Sequence, residues 1–368
     1  MQQPATIDLS NWMSQLSPLI ENWPLKKIVM PGTHDSAMYP GMLPADYAKN
    51  QNLDFTGQLN HGARYFDFRT GYFWADANCV PGGFFDPRNG GECWSCPPNF
   101  NRTWDPVTAD TACSQGWFGP FSKATFHRNI KLGWQSVKGP ATACFGNTLG
   151  GSDYYMYGHG TSPSYVVGVK LADALNQINA WLNAHPGEVV ILSVTAIRGL
   201  DDANNKDPYI EDVFTKTLPA GRLYPFGSAT LPQNATLSAL KGKIVVIGDV
   251  GWKEADVIDR TGWGNFEDSN GMLAYIQKGL DTIRPVGTTV ASEHKLFELS
   301  GVLTPNGTGV VGPIPTNPQD LAKKFNPIFQ GYINGAWKGR ALNIVTVDYI
   351  DITGVADSIV RANWTVPQ

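Results

Sequence analysis

Two histidines end strand-like runs beside residues that can share their chemistry. "VMPGTHDSAM" (29–38) turns from an apolar run through Pro31-Gly32 and then presents His34 and Asp35; "DYYMYGHG" (153–160) ends on His159. Between them "ARYFDFRTGYF" (63–73) carries Asp67 and Arg69, and two later runs end near Asp249 and Asp348. One imidazole can take a proton from a nucleophilic hydroxyl while a second gives one to a leaving oxygen. A neighbouring carboxylate fixes the tautomer of each and stabilises its cation. An arginine can hold two non-bridging phosphate oxygens at once and offset the charge that builds on them. A lone strand-end histidine or aspartate is usually only a polar loop residue. The combination of two histidines, an arginine and carboxylates suits cleavage of a phosphodiester without a metal.

Such a set converges only if the strands that carry it end at the same place. In a parallel barrel they do, at the carboxyl ends of the strands. "LKKIVMP" (25–31) reads as the first strand, with Pro31-Gly32 as the turn that aims His34. The runs 63–73 and 153–160 follow as the second and third strands. "EVVILSVTAI" (188–197), "GKIVVIGDV" (242–250), "HKLFELSGVL" (294–303) and "ALNIVTVDYI" (341–350) continue the series. Val169, Ala172, Leu175, Ile178 and Leu182 repeat at three or four, which predicts a helix over 169–188 stopped by Pro-Gly. A second helix is expected over 318–337, broken near Pro327, and "VADSIVRANW" reads as a closing helix. Alternation of this kind predicts an α/β protein, an irregular TIM-like (β/α) barrel in a single domain over 1–368. A doubly wound open sheet is the alternative, but no glycine-rich phosphate loop follows the first strand.

The 368 residues are 42% hydrophobic and 16% charged, with a net charge of −4. That is enough apolar material for a large core, and no basic field that would favour nucleic acid. No run approaches a membrane span, and the opening "MQQPATIDLSNWMSQL" lacks the pattern of a signal peptide. Residues 74–152 break the strand–helix rhythm and read as one long insertion rich in Gly, Pro, Trp and Cys. All five cysteines (Cys79, Cys93, Cys96, Cys113 and Cys144) fall inside it. Clustering of that kind favours disulfides and a secreted or periplasmic setting. "CWSC" has no second pair or suitably spaced histidine, which argues against zinc. Four sequons, at Asn101, Asn234, Asn306 and Asn363, are potential glycan acceptors. Trp74, Trp94, Trp104, Trp117 and Trp134 are read as the small core of the insertion rather than a lipid-facing rim.

"MPGTHDSAM" is similar to the opening of the catalytic X region of phosphatidylinositol-specific phospholipase C. "ARYFDFRTG" resembles that family's second strand, "YYMYGHG" its second catalytic histidine, and "NIVTVDYID…SIVRAN" its closing strand and helix. The resemblance spans nearly the whole chain outside the insertion. It implies a distorted barrel and the following roles. His34 would activate the inositol 2-hydroxyl, with Asp348 orienting it. His159 would protonate the diacylglycerol oxygen, partnered by Asp35. Arg69 would clamp the phosphate, and Asp67 would orient a ligand hydroxyl. Arginine at position 69 resembles the metal-independent bacterial branch, which implies no metal and no cofactor. The chain departs from that branch at Thr195, where a lysine is expected, and at Asp249, where an arginine is expected. A pocket without those cations should prefer a head group with few acidic substituents: unphosphorylated inositol, a glycosylated inositol or another polyol. The implied partner is an inositol or glyco-inositol lipid met at a membrane surface transiently, by a monomer.

Two other readings use the same residues. One is a metal-dependent barrel enzyme of the glycerophosphodiesterase or sphingomyelinase D kind, against which Arg69 argues. The other is a catalytically retired barrel that binds inositol or sugar, against which the complete set of reactive residues argues. The remaining histidines have structural readings. His61 and Arg64 are taken as packing where a helix meets the second strand, His127 as surface, and His185 as a cation at a helix end. His294 opens a strand run with no assigned partner.

Overall fold

The computed structural model describes residues 2–39, 49–72, 155–159, 166–198, 210–248, 250–305 and 317–367, with short strand pieces between 92 and 149. The main sheet contains β1 (Met30–Thr33), β2 (Tyr65–Tyr72), β3 (Tyr155–His159), β4 (Val166–Lys170), β5 (Val190–Arg198), β6 (Ile244–Gly248), β7 (Ile258–Arg260), β8 (Leu296–Gly301) and β9 (Ile344–Val347). Seven of these run parallel in the order β6-β5-β2-β1-β9-β8-β7. Among the described strands β6 pairs with β5 alone and β7 with β8 alone, and no pairing joins β6 to β7. The longer helices include α1 (Phe55–Asn60), α2 (Leu171–Ala184), α3 (Ser269–Ile283), α4 (Pro318–Asn334) and α5 (Val355–Arg361). The result is the α/β, distorted TIM-like barrel that the strand–helix alternation predicts.

Successive side chains on a strand point to opposite faces. Phe66, Phe68, Leu192, Val194, Val345 and Val347 belong to one buried cluster, shared with Leu175 and Ile178 of α2, Ile276 of α3 and Ile359 of α5. The alternate positions Met30, Tyr65, Ile191, Val245, Leu296 and Ile344 belong to a second, shared with Trp12, Met13, Leu16 and Ile20 of the N-terminal segment. Helices therefore cover the outside of the sheet and the N-terminal segment packs on its inner residues. The same two-residue beat carries Tyr65, Asp67 and Arg69 up the inside of β2.

Four expectations need correction. The first strand does not occupy 25–31: Leu25–Lys27 is a turn of 3-10 helix, and β1 begins at Met30. Pro31 and Gly32 lie inside β1, paired with Val345 and Thr346 of β9. β2 joins β1 only from Gly32 onward, opposite Tyr65, so no ladder donor is lost at Pro31. Gly32 is there for space. A Cβ on it would lie 2.7 Å from Thr346 Cγ2 and 2.9 Å from Tyr65 Cδ1. Gly32→Ala is expected to cost about 1–3 kcal/mol, seen as a lower urea midpoint with an unchanged slope.

The second correction concerns β3, expected as a parallel strand. It pairs antiparallel with the end of β2, Thr70 opposite Tyr157, and antiparallel with β4. Third, α4 continues through Pro327. Leu321, Ala322, Phe325, Phe329 and Ile333 are buried on both sides of it. Their burial, at about 1.5–3 kcal/mol for each large side chain, outweighs the roughly 3 kcal/mol of an interior proline. α4 ends at Asn334 and α2 at Ala184, both short of the expected limits. Fourth, Asn363 is not a glycan acceptor in the folded protein. It is buried; its Oδ1 accepts from the Val29 N–H and its Nδ2 donates to the Val29 and Val360 carbonyls, all at 2.8 Å. Asn234 is exposed, while Asn306, the five cysteine side chains and the insertion tryptophans lie outside the described residues.

Candidate active site

The site is built where β1 and β9 end together beside the first residues of β2: Thr33 pairs with Phe66 on one flank and Val347 on the other. The residue that follows β1, His34, donates its N–H to the Val347 carbonyl at 3.1 Å. Its own carbonyl accepts from Gln51 Nε2 at 3.0 Å. The chain then turns at Asp35, which adopts φ 41°, a left-handed conformation that costs an ordinary residue about 1–2 kcal/mol. The turn Pro31-Gly32 was expected to make is made here, after the histidine.

His34 Nδ1 lies 2.8 Å from Asp348 Oδ1. An ionised carboxylate only accepts, so Nδ1 carries the proton and Nε2 is the nitrogen directed elsewhere. Nε2 is 3.5 Å from Asp35 Oδ2. Arg69 lies against both remaining carboxylates. Its Nε is 2.9 Å from Asp35 Oδ1, and its Nη2 is 2.9 Å from Asp67 Oδ2. Asp67 Oδ2 also accepts from the Asp35 N–H at 3.3 Å. His34, Asp35, Asp67, Arg69 and Asp348 thus form one connected cluster.

Burial opposes the charge on His34, but Asp35 and Asp348 outweigh both burial and the repulsion of Arg69, raising its pKa to about 9. The folded value lies above the ordinary one of about 6.5. The stabilisation is therefore complete below about pH 6.5 and is lost as pH rises towards 9, and at about 1.4 kcal/mol per pKa unit it is no more than about 3–4 kcal/mol. The Tm advantage of the wild type over His34→Gln should be constant below pH 6.5 and shrink between there and 9 (thermal melts across that range check it).

A cleft of about 290 Å³ opens onto His34, Asp67 and Arg69, with Arg260, Trp263, Glu298 and Ser300 on its other walls. Two of these wall residues, Arg260 and Glu298, belong to a polar belt that sequence reasoning missed. Tyr65 Oη donates to Glu298 Oε2 at 2.7 Å, Thr346 Oγ1 to Glu298 Oε1 at 3.2 Å, and Arg260 Nη2 to Ser193 Oγ at 2.8 Å. Arg260 also pairs with Glu298 and Glu254. Burial, then Glu298, hold the Tyr65 hydroxyl well above its ordinary pKa, so it stays a donor. The available signal was Glu298 lying two residues from Leu296 and from Ser300, on the inner beat of β8.

Thr195 pairs with Arg69 in the backbone register of β5 and β2. His159 follows Tyr157, the partner of Thr70, by two residues along β3. The side chains of both, and Asp249 altogether, lie outside the described residues. The Asp35 carboxylate meets Arg69 and His34. His61 Nδ1 meets the Gly57 carbonyl at 2.9 Å, and His185 stacks on Trp181 at 4.1 Å, both as packing groups. Among the described residues, His34, Asp35 and Asp67 offer three ligand atoms within 4.8 Å of one another. Arg69 contacts two of these residues, so a cation there would compete with a guanidinium. A wider hollow of about 580 Å³, lined by Phe266, Asp268, Asp320 and Lys324 among others, holds no histidine and is separate from this cluster.

No family model matches the chain. Its structure is similar to that of phosphatidylinositol-specific phospholipase C from Listeria monocytogenes, at 15% identity and a TM-score of 0.55, covering 97% of this chain and 99% of that one. It is also similar to phosphatidylinositol-specific phospholipase C from Staphylococcus aureus, at 16% identity and a TM-score of 0.58, covering 97% and 98%. A point variant of the Staphylococcus aureus protein gives the same identity and TM-score over 97% and 99%. At such identities the likeness is one of architecture: this chain has the distorted barrel fold of the bacterial phosphatidylinositol-specific phospholipases C.

Proposed function

We propose that the protein is a phospholipase C-type lyase that cleaves phosphatidylinositol, or a related inositol or glyco-inositol lipid, to a cyclic inositol phosphate and diacylglycerol. The observation that carries this reading is the orientation of His34: Nδ1 is held by Asp348, and Nε2 lies 3.5 Å from Asp35 in a cleft that Arg69 also lines. In this reading neutral His34 takes the proton of the inositol 2-hydroxyl through Nε2. The oxygen attacks phosphorus, and Arg69 offsets the charge that grows on the non-bridging oxygens. His159 gives a proton to the departing diacylglycerol oxygen, and no water is consumed. His34 is cationic at neutral pH in the free protein, so kcat/KM rises with pH towards about 9.

Metal independence is supported by the Arg69 guanidinium lying against Asp35 and Asp67. A head group with few acidic substituents is supported by Arg260, the other arginine among the described cleft residues, whose charge is already matched by Glu254 and Glu298. Work outside the cytoplasm, as a monomer touching membranes transiently, belongs to the same reading. Among the described residues no helix is long and apolar enough to cross a membrane.

The test is incubation with phosphatidylinositol vesicles in excess chelator, followed by phosphorus NMR. A cyclic phosphate signal is expected. Turnover that appears only when Ca²⁺ or Mg²⁺ is restored would replace this reading with the metal-dependent one, which the three clustered ligand atoms favour. No turnover under either condition, with tight binding of inositol, would leave a binding protein.

A further inference from the structure

Asn50 touches both members of the His34–Asp348 pair, and no role described so far uses it. It lies in the polar run "AKNQN" (48–52) and is 4% exposed. Its backbone is fixed from two sides: its N–H donates to the Met38 carbonyl at 2.9 Å, and its carbonyl accepts from the Tyr349 N–H at 2.8 Å. Tyr349, at φ 48°, directly follows Asp348, and its hydroxyl donates to the Lys49 carbonyl at 2.6 Å. Gln51 Nε2 donates to the carbonyls of His34 and Val347 at 3.0 and 3.2 Å. The segment is thus tied to the backbone at the ends of both β1 and β9.

The side chain points at the pair. Asn50 Nδ2 is 3.3 Å from Asp348 Oδ1 and 3.4 Å from His34 Nδ1. An amide nitrogen only donates, and Nδ1 already donates to Asp348, so the amide hydrogen goes to the carboxylate. Asp348 Oδ1 then accepts twice. The other end of the amide has nothing: Asn50 Oδ1 is buried without a hydrogen-bond partner among the described residues. An orphaned carbonyl of this kind costs about 1–3 kcal/mol. Turning the amide over would set Oδ1 against the carboxylate instead, which is worse. Burial pushes the Asp348 carboxyl above its ordinary range, and His34 and then Asn50 pull it back.

We propose that Asn50 is a positioning residue for the His34 base: its amide holds the Asp348 carboxylate in the orientation that keeps the His34 proton on Nδ1 and leaves Nε2 to act on substrate. This rests on the reading of His34 as the general base. Among the described residues the other charged groups facing His34 are Asp35 on its own turn and Asp67 and Arg69 on β2, and none contacts Nδ1.

Asn50→Asp keeps the outline of the side chain and removes the donor; Asn50→Ala removes both. Each is compared with wild type, as the full chain, on phosphatidylinositol vesicles and by proton NMR of the His34 Nδ1–H. In both variants kcat should fall by about 10- to 100-fold with KM changed less than about threefold, since substrate binding is untouched. The low-field Nδ1–H resonance, present in wild type, should be lost to exchange. A variant that keeps kcat within about threefold of wild type overturns the proposal, and so does a resonance that persists in Asn50→Asp. Should wild type not turn over the lipid, the resonance alone decides the role of Asn50, and it is the reading of the substrate that fails. Asn50→Asp carries the test if Asn50→Ala does not fold.

Discussion

Replacing His34 with alanine should lower cyclic phosphate formation by about 10²- to 10⁴-fold, the usual contribution of a positioned proton-transfer group. The loss should fall on kcat, because the groups that meet phosphate and head group stay in place. Arg69 keeps both its carboxylates, and the hydrogen bonds joining Tyr65, Glu298 and Arg260 do not pass through His34. The substitution also leaves a hole of imidazole size beside Asp348. Free imidazole added to His34→Ala should therefore restore part of the rate, and restore less of it if Asp348 is also replaced. Turnover by His34→Ala within tenfold of wild type would remove His34 from the chemistry.

The largest effect on stability should come from Glu188→Ala. Arg64 and Glu188 are both fully buried, with Arg64 Nη2 2.7 Å and Nε 3.0 Å from Glu188 Oε2. Glu188 also accepts from Ser14 N–H at 2.8 Å and Ser14 Oγ at 2.7 Å, fastening the N-terminal segment to the start of β5. The rest of the Arg64 guanidinium donates to the carbonyls of Leu59, Ala63, Leu9 and Ser10 and lies over Trp181 at 4.6 Å. Removing the carboxylate strands a buried cation, which costs about 3–5 kcal/mol, a large share of the roughly 5–15 kcal/mol that holds a typical domain folded. Denaturant unfolding of Glu188→Ala measures the loss. The double variant Arg64→Met with Glu188→Leu should recover much of it, because the cost is that of an unpaired charge rather than of a missing attraction. A single variant as stable as wild type would show that the pair contributes nothing.

What the sequence made legible is what repeats. Buried strands announce themselves as short apolar runs, and six of the seven parallel strands were found that way; β7, three residues long, was too short to register. His34, Asp67, Arg69 and Asp348 stood out because reactive types at strand ends break an apolar pattern. The direction of β3 was not legible, since a strand carries the same residues whichever way its neighbour runs. Pro31-Gly32 looked like a turn because local propensity says turn, while the two strands that enclose Gly32 are hundreds of residues apart in one case. Asn50, Gln51, Glu298 and Arg260 were missed for the same reason. A polar residue in a polar run, or one carboxylate in an apolar one, gains meaning only from what the fold sets beside it.

The clamp between Asn363 and Val29 joins residues 334 apart, and His34 meets Asp348 across 314. The first strand of the barrel is thus seated by the last strand and by the helix after it. A chain emerging from the ribosome carries His34 early and waits for almost everything else before that histidine has a partner. Reactivity is in this sense timed by synthesis. In a nascent or truncated chain that lacks Asp348, His34 has no such partner, and the proposed phosphodiester chemistry waits for that segment to dock.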